Sequence, residues 1–565
     1  MADYRFDQSK GYGKLVDQAK RINESAFHLR SLVMEKNRCT DFSISGGGIF
    51  FDYSRQRVDR AIMDLLFDLA HEADVITQFS RMNAGEKVNV SENREALHMA
   101  ARSFSTVPLM VDGRDVRKDF RGVLDQIQTF STRVHDGTLT GSTGKPFTHA
   151  VVVGIGGSYL GTEFVAKALE AFADQSISLD FLANVDIHNF GAIGSRIDPE
   201  KTLWIIISKS YTTVETMANE DLIRRFMADR GLDPARHMVT VTSKGSPGDQ
   251  GGGRELAAFH MFDFIGGRYS VTSAVGGVPL SIYLGYDRFE RFLKGAEAMD
   301  QHTLSAPPEK NLPLIAALVS VWNTRFMRYP QSAIIPYASP LCKLAPHVQQ
   351  LNMESNGKSV DMAGNFLSEP AGTVIFGEPG TNAQHSFFQL AHQGKPFPIE
   401  FIGVLNPQYQ MDEGRFKGVT HQQELWANLL AQSTALATGK NDENPAKWFS
   451  GNRPSSILVL ESLEPEDVGR LLAFYEAKTI YEAFLWGNNP FDQFGVELGK
   501  VTAGSLRKVM AQKNENPGYA FDDVDPLNRP YLEMLFSGKL AEQGDAGSGN
   551  TPEKVQLTRE KERRG

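Results

Sequence analysis

Hydroxyl side chains crowd the stretch SKSYTTVET, residues 208–216, which lies between an apolar run and a helical pattern. The hydroxyls belong to Ser208, Ser210, Thr212, Thr213 and Thr216. One of them could cap the helix, and Thr212 with Glu215 fits the capping-box pattern. A cap uses one hydroxyl, whereas several hydroxyls and backbone amides at a helix N-terminus can hold a phosphate dianion, helped by the adjacent Lys209. The stretch therefore favours phosphate binding, with helix capping as the alternative.

A glycine-rich loop follows another apolar run in THAVVVGIGGSYLG, residues 148–161. The loop does not match the dinucleotide fingerprint G-x-G-x-x-G, because the third glycine would fall at Tyr159. No lysine follows Gly161, so a Walker A loop is excluded as well. The loop lies where a strand ends and a helix begins, which is where parallel sheets bind ligands. A glycine-rich turn without a ligand is the alternative.

Other stretches supply single residues that could transfer protons or offset charge. They are Glu354 in MESNGKS, His385 in GTNAQHSFF, Lys500 and Gln493 in FDQFGVELGK, and Arg268 in GGRYS. A lone glutamate is usually solvated, and Lys500 with Gln493 also fits an amphipathic surface helix. His385 follows an expected strand and a glycine loop, which puts it at the ligand-binding edge of a parallel sheet. No set of His, Cys, Asp and Glu has zinc or mononuclear-iron spacing, so we expect a site without metal or cofactor.

The elements that must position these residues alternate between strands and helices. HAVVVGIGGS precedes the helical pattern YLGTEFVAKALEAFA, and TLWIIISKSYTT precedes VETMANEDLIRRFMADRG. The same alternation recurs after about residue 313, in SAIIPYAS, TVIFGEPG and SSILVLES. Such alternation predicts an α/β protein in which each parallel sheet is covered by helices on both faces.

Changes in pattern along the chain predict four segments. Residues 1–114 form a mostly helical N-terminal portion, and residues 115–300 and 301–505 form two α/β domains. Residues 506–565 form a C-terminal extension. From about residue 541 this extension is polar and glycine-rich, so it cannot bury enough apolar surface to order itself, and we expect a flexible tail.

Composition restricts the classes of partner and compartment. The chain has 59 Lys and Arg against 68 Asp and Glu, a net charge of -9, which disfavours nucleic acid and anionic membranes as partners. Its two cysteines are too few for a disulfide framework. The N-terminus lacks a signal-peptide pattern, and no apolar run approaches the length of a membrane span. We therefore expect a cytoplasmic protein that acts on a small molecule.

A set of strings along the chain resembles the phosphoglucose isomerase family. The strings are NREALHMAAR, GIGGS-x-LG, SKSYTTVET, GGRYS, QQLNMESNGKSV, GEPGTNAQHSFFQLAHQG, GNRPSS and FDQFGVELGK, in family order from about residue 93 to residue 500. The resemblance implies two sugar-isomerase (SIS) domains, each a parallel sheet sandwiched by helices. It implies a homodimer whose active site takes His385 from the neighbouring subunit. It also implies the interconversion of glucose 6-phosphate and fructose 6-phosphate in glycolysis and gluconeogenesis.

The resemblance further implies a role for each candidate residue. Glu354 matches the base that moves a proton between C1 and C2 through a cis-enediolate, and Arg268 matches the cation that offsets the charge of that intermediate. His385 and Lys500 match the groups that open the sugar ring. The residues that match the family's substrate pocket are Gly157, Ser158, Ser208, Lys209, Ser210, Thr213, Thr216, Gln350 and Gln493.

The sequence departs from the family at positions close to these residues. Tyr159 replaces the aspartate that usually follows GGS, and Phe494 replaces the tryptophan that usually follows FDQ. Neither change removes a proposed catalytic group, but Tyr159 could reshape the sugar pocket and admit mannose 6-phosphate. The other alternative is a sugar-phosphate sensor that binds without turnover, against which the complete catalytic set argues.

Overall fold

The computed structural model of the chain describes residues 4–24, 27–249, 253–412 and 414–541. The chain divides into a larger compact unit, Met1–Asp492, and a smaller unit, Gln493–Gly565. The tail predicted to be flexible from about residue 541 lies outside the described residues from residue 542 onward. Among the described residues, no helix combines the length and the apolar character that crossing a bilayer requires.

The strands all belong to the larger unit as far as the chain is described. In chain order they are β1 (Ser43–Gly46), β2 (Ile49–Asp52), β3 (Met110–Val111), β4 (Arg114–Asp115), β5 (His149–Val153), β6 (Ser178–Leu182), β7 (Thr202–Ile207), β8 (Met238–Ser243), β9 (Ala257–Met261), β10 (Gln331–Tyr337), β11 (Val374–Phe376), β12 (Ile399–Val404) and β13 (Ser455–Leu460).

The helices cover the sheets and fill the space between them. In chain order they are α1 (Lys10–Ile22), α2 (Leu29–Leu32), α3 (Arg38–Asp41), α4 (Arg60–Glu72), α5 (Val75–Asn83), α6 (His98–Ala101), α7 (Val116–His135), α8 (Leu160–Ala168), α9 (Ile187–Gly194), α10 (Val214–Ala228), α11 (Ala274–Leu284), α12 (Tyr286–Ser305), α13 (Leu312–Val321), α14 (Leu344–Val348), α15 (Phe388–Gln393), α16 (His421–Thr438), α17 (Pro465–Trp486) and, in the smaller unit, α18 (Glu497–Glu515) and α19 (Arg529–Ser537).

The first large sheet has the strand order β6-β5-β7-β8-β9, and each neighbouring pair is parallel. Strands β5 and β7 are almost entirely buried, which explains why both are unbroken apolar runs in the sequence. Val153 pairs with Leu182 and with Ile206, so β5, β6 and β7 end at one edge. The loops at residues 154–159 and 208–213 therefore leave this edge side by side, which confirms the predicted α/β arrangement.

The second large sheet has the order β1-β2-β13-β12-β10-β11, and its strands β10 to β13 are parallel. The antiparallel hairpin of β1 and β2 extends this sheet beside β13. The hairpin turns at Gly47 and Gly48, whose φ angles of 56° and 82° favour glycine. The N-terminal portion, predicted to be mostly helical, thus also contributes two short strands to this sheet. Strands of four residues are too short to show a clear pattern in the sequence.

Helix α17 forms the centre of the larger unit and is buried on every side along most of its length. It packs along α12 and α13, and its buried residues include Leu471, Phe474 and Ile480. Helices that are buried all round lose the polar stripe of a surface helix. The predicted division of the chain into domains at residues 300 and 301 stays a prediction.

Candidate active site

The glycine-rich loop and the turn that carries Arg268 touch backbone to backbone. Gly156–Ser158 form a 3₁₀ turn after β5, and Gly267–Tyr269 form another after β9. A Cβ atom on Gly157 would lie 2.2 Å from the carbonyl carbon of Gly267, so this approach requires glycine. Ser270 donates from its hydroxyl to the carbonyl of Gly157 (3.3 Å). The loop that contains Gly157 and Ser158 is therefore held next to Arg268.

The hydroxyl-rich loop between β7 and α10 does not use its side chains to cap the helix. Thr213 is the N-cap residue of α10, and its side chain makes no capping hydrogen bond. Its hydroxyl instead accepts from Ser208 (3.3 Å), while the hydroxyls of Ser210 and Thr212 bond to each other (2.6 Å). Thr216 is buried in the first turn of the helix. In this loop the predicted alternative, a capping box, is not formed, and the hydroxyls stay grouped where a phosphate could bind.

Tyr211 holds the middle of this loop in an unusual backbone conformation. Its φ of 55° lies in the left-handed region, which a tyrosine rarely adopts. Its ring is buried, and a Cβ atom on Gly248 would lie 2.3 Å from that ring. Its hydroxyl hydrogen-bonds to Glu220, which pairs with Arg224 (2.7 Å). No pattern in the sequence marks Tyr211, because a left-handed tyrosine leaves no periodic signal.

Lys209 ties the hydroxyl-rich loop to the chain that precedes Arg268. Its ammonium donates to the carbonyl of Asp263 (2.9 Å) and lies 3.5 Å from the carboxylate of the same residue. Burial lowers the pKa of Lys209. Residues 263–265 lead directly into the turn Gly267–Tyr269, so Lys209 joins the loop to that turn.

Arg268 is buried, and its guanidinium faces several segments of the chain at once. Nε donates to the hydroxyl of Ser355 (2.7 Å), and Nη2 donates to the carbonyls of Pro490 and Asp492, the latter at 2.9 Å. Nη1 lies 3.3 Å from Oε2 of Glu354. A guanidinium held at several corners keeps both its charge and its direction. A fixed positive charge therefore stands beside the Glu354 carboxylate.

Glu354 ends a π-helical turn, Gln349–Glu354, that continues α14. Such turns are rare and occur frequently at functional sites. The side chain of Glu354 is 19% exposed, so it is mostly covered but can be reached. In the same turn, Oε1 of Gln350 is buried and has no hydrogen-bond partner in the described chain. A Cβ atom on Gly156 would lie 3.3 Å from Nε2 of Gln350, so this turn adjoins the glycine-rich loop.

Among the described residues of the larger unit, His385 is not part of this group of contacts. His385 ends the 3₁₀ turn Asn382–His385 after β11, and it is exposed. Within the described part of the chain, no hydrogen bond joins His385 to Glu354. Gln493 and Lys500 belong to the smaller unit, where both are exposed and Lys500 lies in α18.

Tyr159, which stands where the family usually has an aspartate after GGS, is half-buried beside the glycine-rich loop. The centroids of its ring and that of Phe181 are 6.5 Å apart. Burial and the neighbouring Glu163 raise the pKa of the Tyr159 hydroxyl. Glu163 in turn pairs with Lys343 (2.9 Å). The half-buried tyrosine is thus held between an aromatic ring and a charged pair.

The fold brings Lys358 and Asp492, for which the sequence predicted no role, together beside Glu354. The ammonium of Lys358 donates to the carbonyls of Glu354 (2.9 Å) and Asp492 (2.8 Å) and pairs with the Asp492 carboxylate (2.8 Å). The other carboxylate oxygen accepts from Ser91 (2.6 Å) and Asn489 (3.0 Å). Both residues lie in strings that carry the family resemblance, Lys358 in the string of Glu354 and Asp492 in the string of Gln493. This closeness along the chain is the signal by which the sequence could have pointed to them.

Buried polar side chains also support the turn that carries Arg268. The hydroxyls of Tyr269 and Ser355 are 2.9 Å apart, and burial raises the pKa of Tyr269 to about 12. The ring of His98 lies 4.8 Å from that of Tyr269, centroid to centroid. Such networks are costly when incomplete and rigid when satisfied. The turn of Arg268 is therefore held by packing and hydrogen bonds as well as by the groups that face its guanidinium.

Comparison with known proteins gives consistent matches along most of the chain. The family model described as phosphoglucose isomerase matches residues 52–523. A glucose-6-phosphate isomerase of Desulfosudis oleivorans is 61% identical over 513 residues, which cover 90% of this chain and 94% of the relative. A cytosolic glucose-6-phosphate isomerase of Arabidopsis thaliana is 43% identical over 530 residues, again 90% and 94% of the two chains. The crystal structure of a glucose-6-phosphate isomerase from Chlamydia trachomatis superposes with a TM-score of 0.85 at 37% identity, covering 95% of this chain and all of that one.

Proposed function

Because the chain belongs to the phosphoglucose isomerase family, we propose that Glu354, Arg268, His385 and Lys500 carry out its reaction. The chain interconverts glucose 6-phosphate and fructose 6-phosphate, an aldose-ketose isomerisation of glycolysis and gluconeogenesis. The observation that most directly supports the residue assignment is the 3.3 Å approach of Arg268 to Glu354. A carboxylate and a fixed cation at that distance suit a reaction that moves a proton and builds negative charge on oxygen.

In this proposal Glu354 is the base of the proton transfer. It takes the proton from C2 of the aldose or C1 of the ketose and returns it to the other carbon. Loss of the proton leaves a cis-enediolate, whose oxygens carry the negative charge. Arg268 offsets that charge without moving, because its hydrogen bonds to Ser355, Pro490 and Asp492 already fix the guanidinium.

We assign ring opening to His385 and Lys500. One group must protonate the ring oxygen while the other takes the proton of the anomeric hydroxyl, and imidazole suits either task near neutral pH. His385 is exposed on its own chain and has no hydrogen bond to Glu354 within the described residues, which is compatible with a role in another subunit's site. We therefore propose a homodimer in which His385 completes the neighbouring site.

We assign the phosphate group to the loop before α10 and the sugar to the surrounding polar groups. Hydroxyls and free backbone amides at the start of a fifteen-residue helix suit a dianion, since the helix dipole favours negative charge there. The substrate-binding residues in this proposal are Gly157, Ser158, Ser208, Lys209, Ser210, Thr213, Thr216, Gln350 and Gln493.

The proposal also covers organisation and location. Residues 115–300 and 301–505 are proposed as the two sugar-isomerase domains, because each range contains the parallel strands of one sheet. Residues 1–114 and 506–565 are the proposed N-terminal portion and C-terminal extension.

We propose a cytoplasmic location, supported by the cytosolic relative in Arabidopsis thaliana. The net charge of -9 disfavours a nucleic-acid or anionic-membrane partner, whereas a small anionic substrate can bind in a pocket that is locally positive.

Proton NMR in heavy water tests the proposed base. Fructose 6-phosphate incubated with the protein and a chelator is expected to give glucose 6-phosphate that carries deuterium at C2, because the proton held by Glu354 can exchange with solvent deuterium while the enediolate is bound. Glu354→Gln should still bind the sugar phosphate but should abolish both conversion and deuterium exchange. Conversion by Glu354→Gln at the wild-type rate would show that another group is the base. Glu309→Gln, a change at an exposed glutamate, is the matched control.

Subunit mixing tests the shared site. Glu354→Gln and His385→Ala chains are unfolded, mixed and refolded together. If His385 serves the neighbouring subunit, each mixed dimer regains one complete site, and about a quarter of the wild-type activity returns. If each site uses its own histidine, the mixture stays inactive, which would contradict the proposed exchange.

A further inference from the structure

A buried ion pair connects the turn of Glu354 to the last residue of the larger unit. An ammonium has three donors, and those of Lys358 meet the carbonyl of Glu354, the carbonyl of Asp492 and the carboxylate of Asp492. The side chains of Lys358 and Asp492 are 13% and 11% exposed. The contacts of Lys358 are thus directed to the residue proposed as the base and to the residue that precedes Gln493.

Arg268 and Lys358 hold Glu354 from opposite ends of the residue. Arg268 faces the carboxylate at 3.3 Å, whereas Lys358 donates to the backbone carbonyl at 2.9 Å. The two cations also share an acceptor, because each donates to the carbonyl of Asp492. A change at Lys358 would therefore alter the position of Glu354 relative to Arg268.

Asp492 is itself fixed from a third direction. Its carboxylate accepts from the hydroxyl of Ser91 (2.6 Å) and the amide of Asn489 (3.0 Å) in addition to Lys358. The charged groups that face Lys358 are Asp492, Arg268 and Glu354. Burial lowers the pKa of Lys358, so keeping this ammonium in the fold has an energetic cost. Because a buried ion pair adds little stability on average, stability alone is a poor reason for this arrangement.

We infer that Lys358 and Asp492 are positioning residues for the isomerisation, which align Glu354 with Arg268 and fix the chain just before Gln493. The inference rests on the proposed role of Glu354 as the base. Misplacement of a reacting group by about 1 Å can cost about 100-fold in rate, so the alignment has a large effect on turnover. Neither residue needs to touch the substrate for this role.

The test compares Lys358→Met with Lys358→Arg and Asp492→Asn in steady-state kinetics. Methionine keeps the length of the side chain and removes its donors and charge. We expect kcat of Lys358→Met to fall about 10- to 100-fold while KM changes less than about threefold. Lys358→Arg keeps the charge and the donors and should restore part of kcat, again with KM nearly unchanged.

Three controls keep the test decisive. Lys294→Met removes a surface lysine that pairs with Glu290 and should leave kcat and KM unchanged. Thermal unfolding shows whether each variant is folded, and if Lys358→Met is not, Lys358→Arg and Asp492→Asn carry the comparison. A folded Lys358→Met with wild-type kcat, or one whose KM rises as much as its kcat falls, would overturn the positioning role, and so would a Lys358→Arg no more active than Lys358→Met. Glu354→Gln separates the two claims, because an active Glu354→Gln overturns the base assignment instead.

Discussion

Nη1 of Arg268 lies 3.3 Å from Oε2 of Glu354, although the two residues come from the connections of different sheets. Arg268 follows β9 of the first sheet, and Glu354 ends the turn that follows β10 and α14 in the second. The candidate site therefore forms where a turn that follows the first sheet meets a turn that belongs to the second. Its geometry depends on how these connecting segments pack together as much as on either one alone.

Arg268→Lys should lower kcat about 100- to 1000-fold, as the loss of one group that stabilises a developing oxyanion does. Lysine keeps the charge, but its single ammonium cannot face Ser355, the carbonyl of Asp492 and Glu354 together. Steady-state rates with fructose 6-phosphate measure the effect. Arg291→Lys, at a partly exposed pair with Glu466, is the matched control and should stay close to wild type. Wild-type kcat in Arg268→Lys would show that only the charge matters.

Ser355→Ala should destabilise the fold by about 1–3 kcal/mol, because it removes a buried hydroxyl that accepts from Nε of Arg268 and bonds to the hydroxyl of Tyr269. Tyr269→Phe keeps the bond between Ser355 and Arg268 and should cost less. Unfolding of both single variants and of the double variant gives the coupling between the two positions. If the two losses simply add, the hydroxyl of Ser355 does not link Arg268 to Tyr269 as the distances indicate.

Features that depend on local sequence could be predicted well. Strands β5 and β7 are buried apolar runs, so the sequence shows both them and the glycine-rich and hydroxyl-rich loops at their ends. The parallel alignment of the two strands then brings the loops together. Strings such as MESNGKS and GGRYS made Glu354 and Arg268 candidates by resemblance, and their roles stay predictions. The distance between those two residues could not be predicted, because it depends on how the segments that follow different sheets pack together.

Features that depend on distant contacts escaped prediction. Lys358 and Asp492 are 134 positions apart, and no local pattern marks them as partners. The short strands β1 and β2 acquire their partner only when β13 lies beside them. The left-handed backbone of Tyr211 depends on the space that Gly248 leaves for its ring. In each case the residue or strand that fixes the structure is too distant along the chain for a local sequence pattern to show it.

Tyr211→Phe should weaken binding of the phosphate group with little effect on turnover. The phenylalanine ring can still pack against Gly248, but the hydrogen bond to Glu220 is lost. If the lost hydrogen bond stabilised the ordered loop by about 1 kcal/mol, KM should rise about fivefold. KM for fructose 6-phosphate and competitive inhibition by inorganic phosphate should change together. Tyr409→Phe, at an exposed tyrosine, is the control. An unchanged inhibition constant for phosphate would show that this hydrogen bond does not support the loop.

His347 should make the fold sensitive to mild acid. Its ring is buried against Phe164, both ring nitrogens lack a hydrogen-bond partner in the described chain, and burial lowers its pKa to about 4. Between the unfolded value of about 6.5 and the folded value, the unfolded chain binds more protons than the folded chain. The stability due to a neutral His347 is therefore complete above about pH 6.5 and is lost as the pH falls toward 4.

His347→Leu removes this titration while keeping an apolar side chain of similar size. Between about pH 7.5 and pH 5, wild type should lose about 2 kcal/mol of unfolding free energy that the variant does not lose. His98 is also buried, and burial lowers its pKa too, but it is present in both proteins and cancels in the difference. Thermal unfolding of the two proteins at matched pH values measures that difference. Parallel curves for the two proteins would show that His347 can be protonated in the fold without cost, contrary to its buried, unpartnered setting.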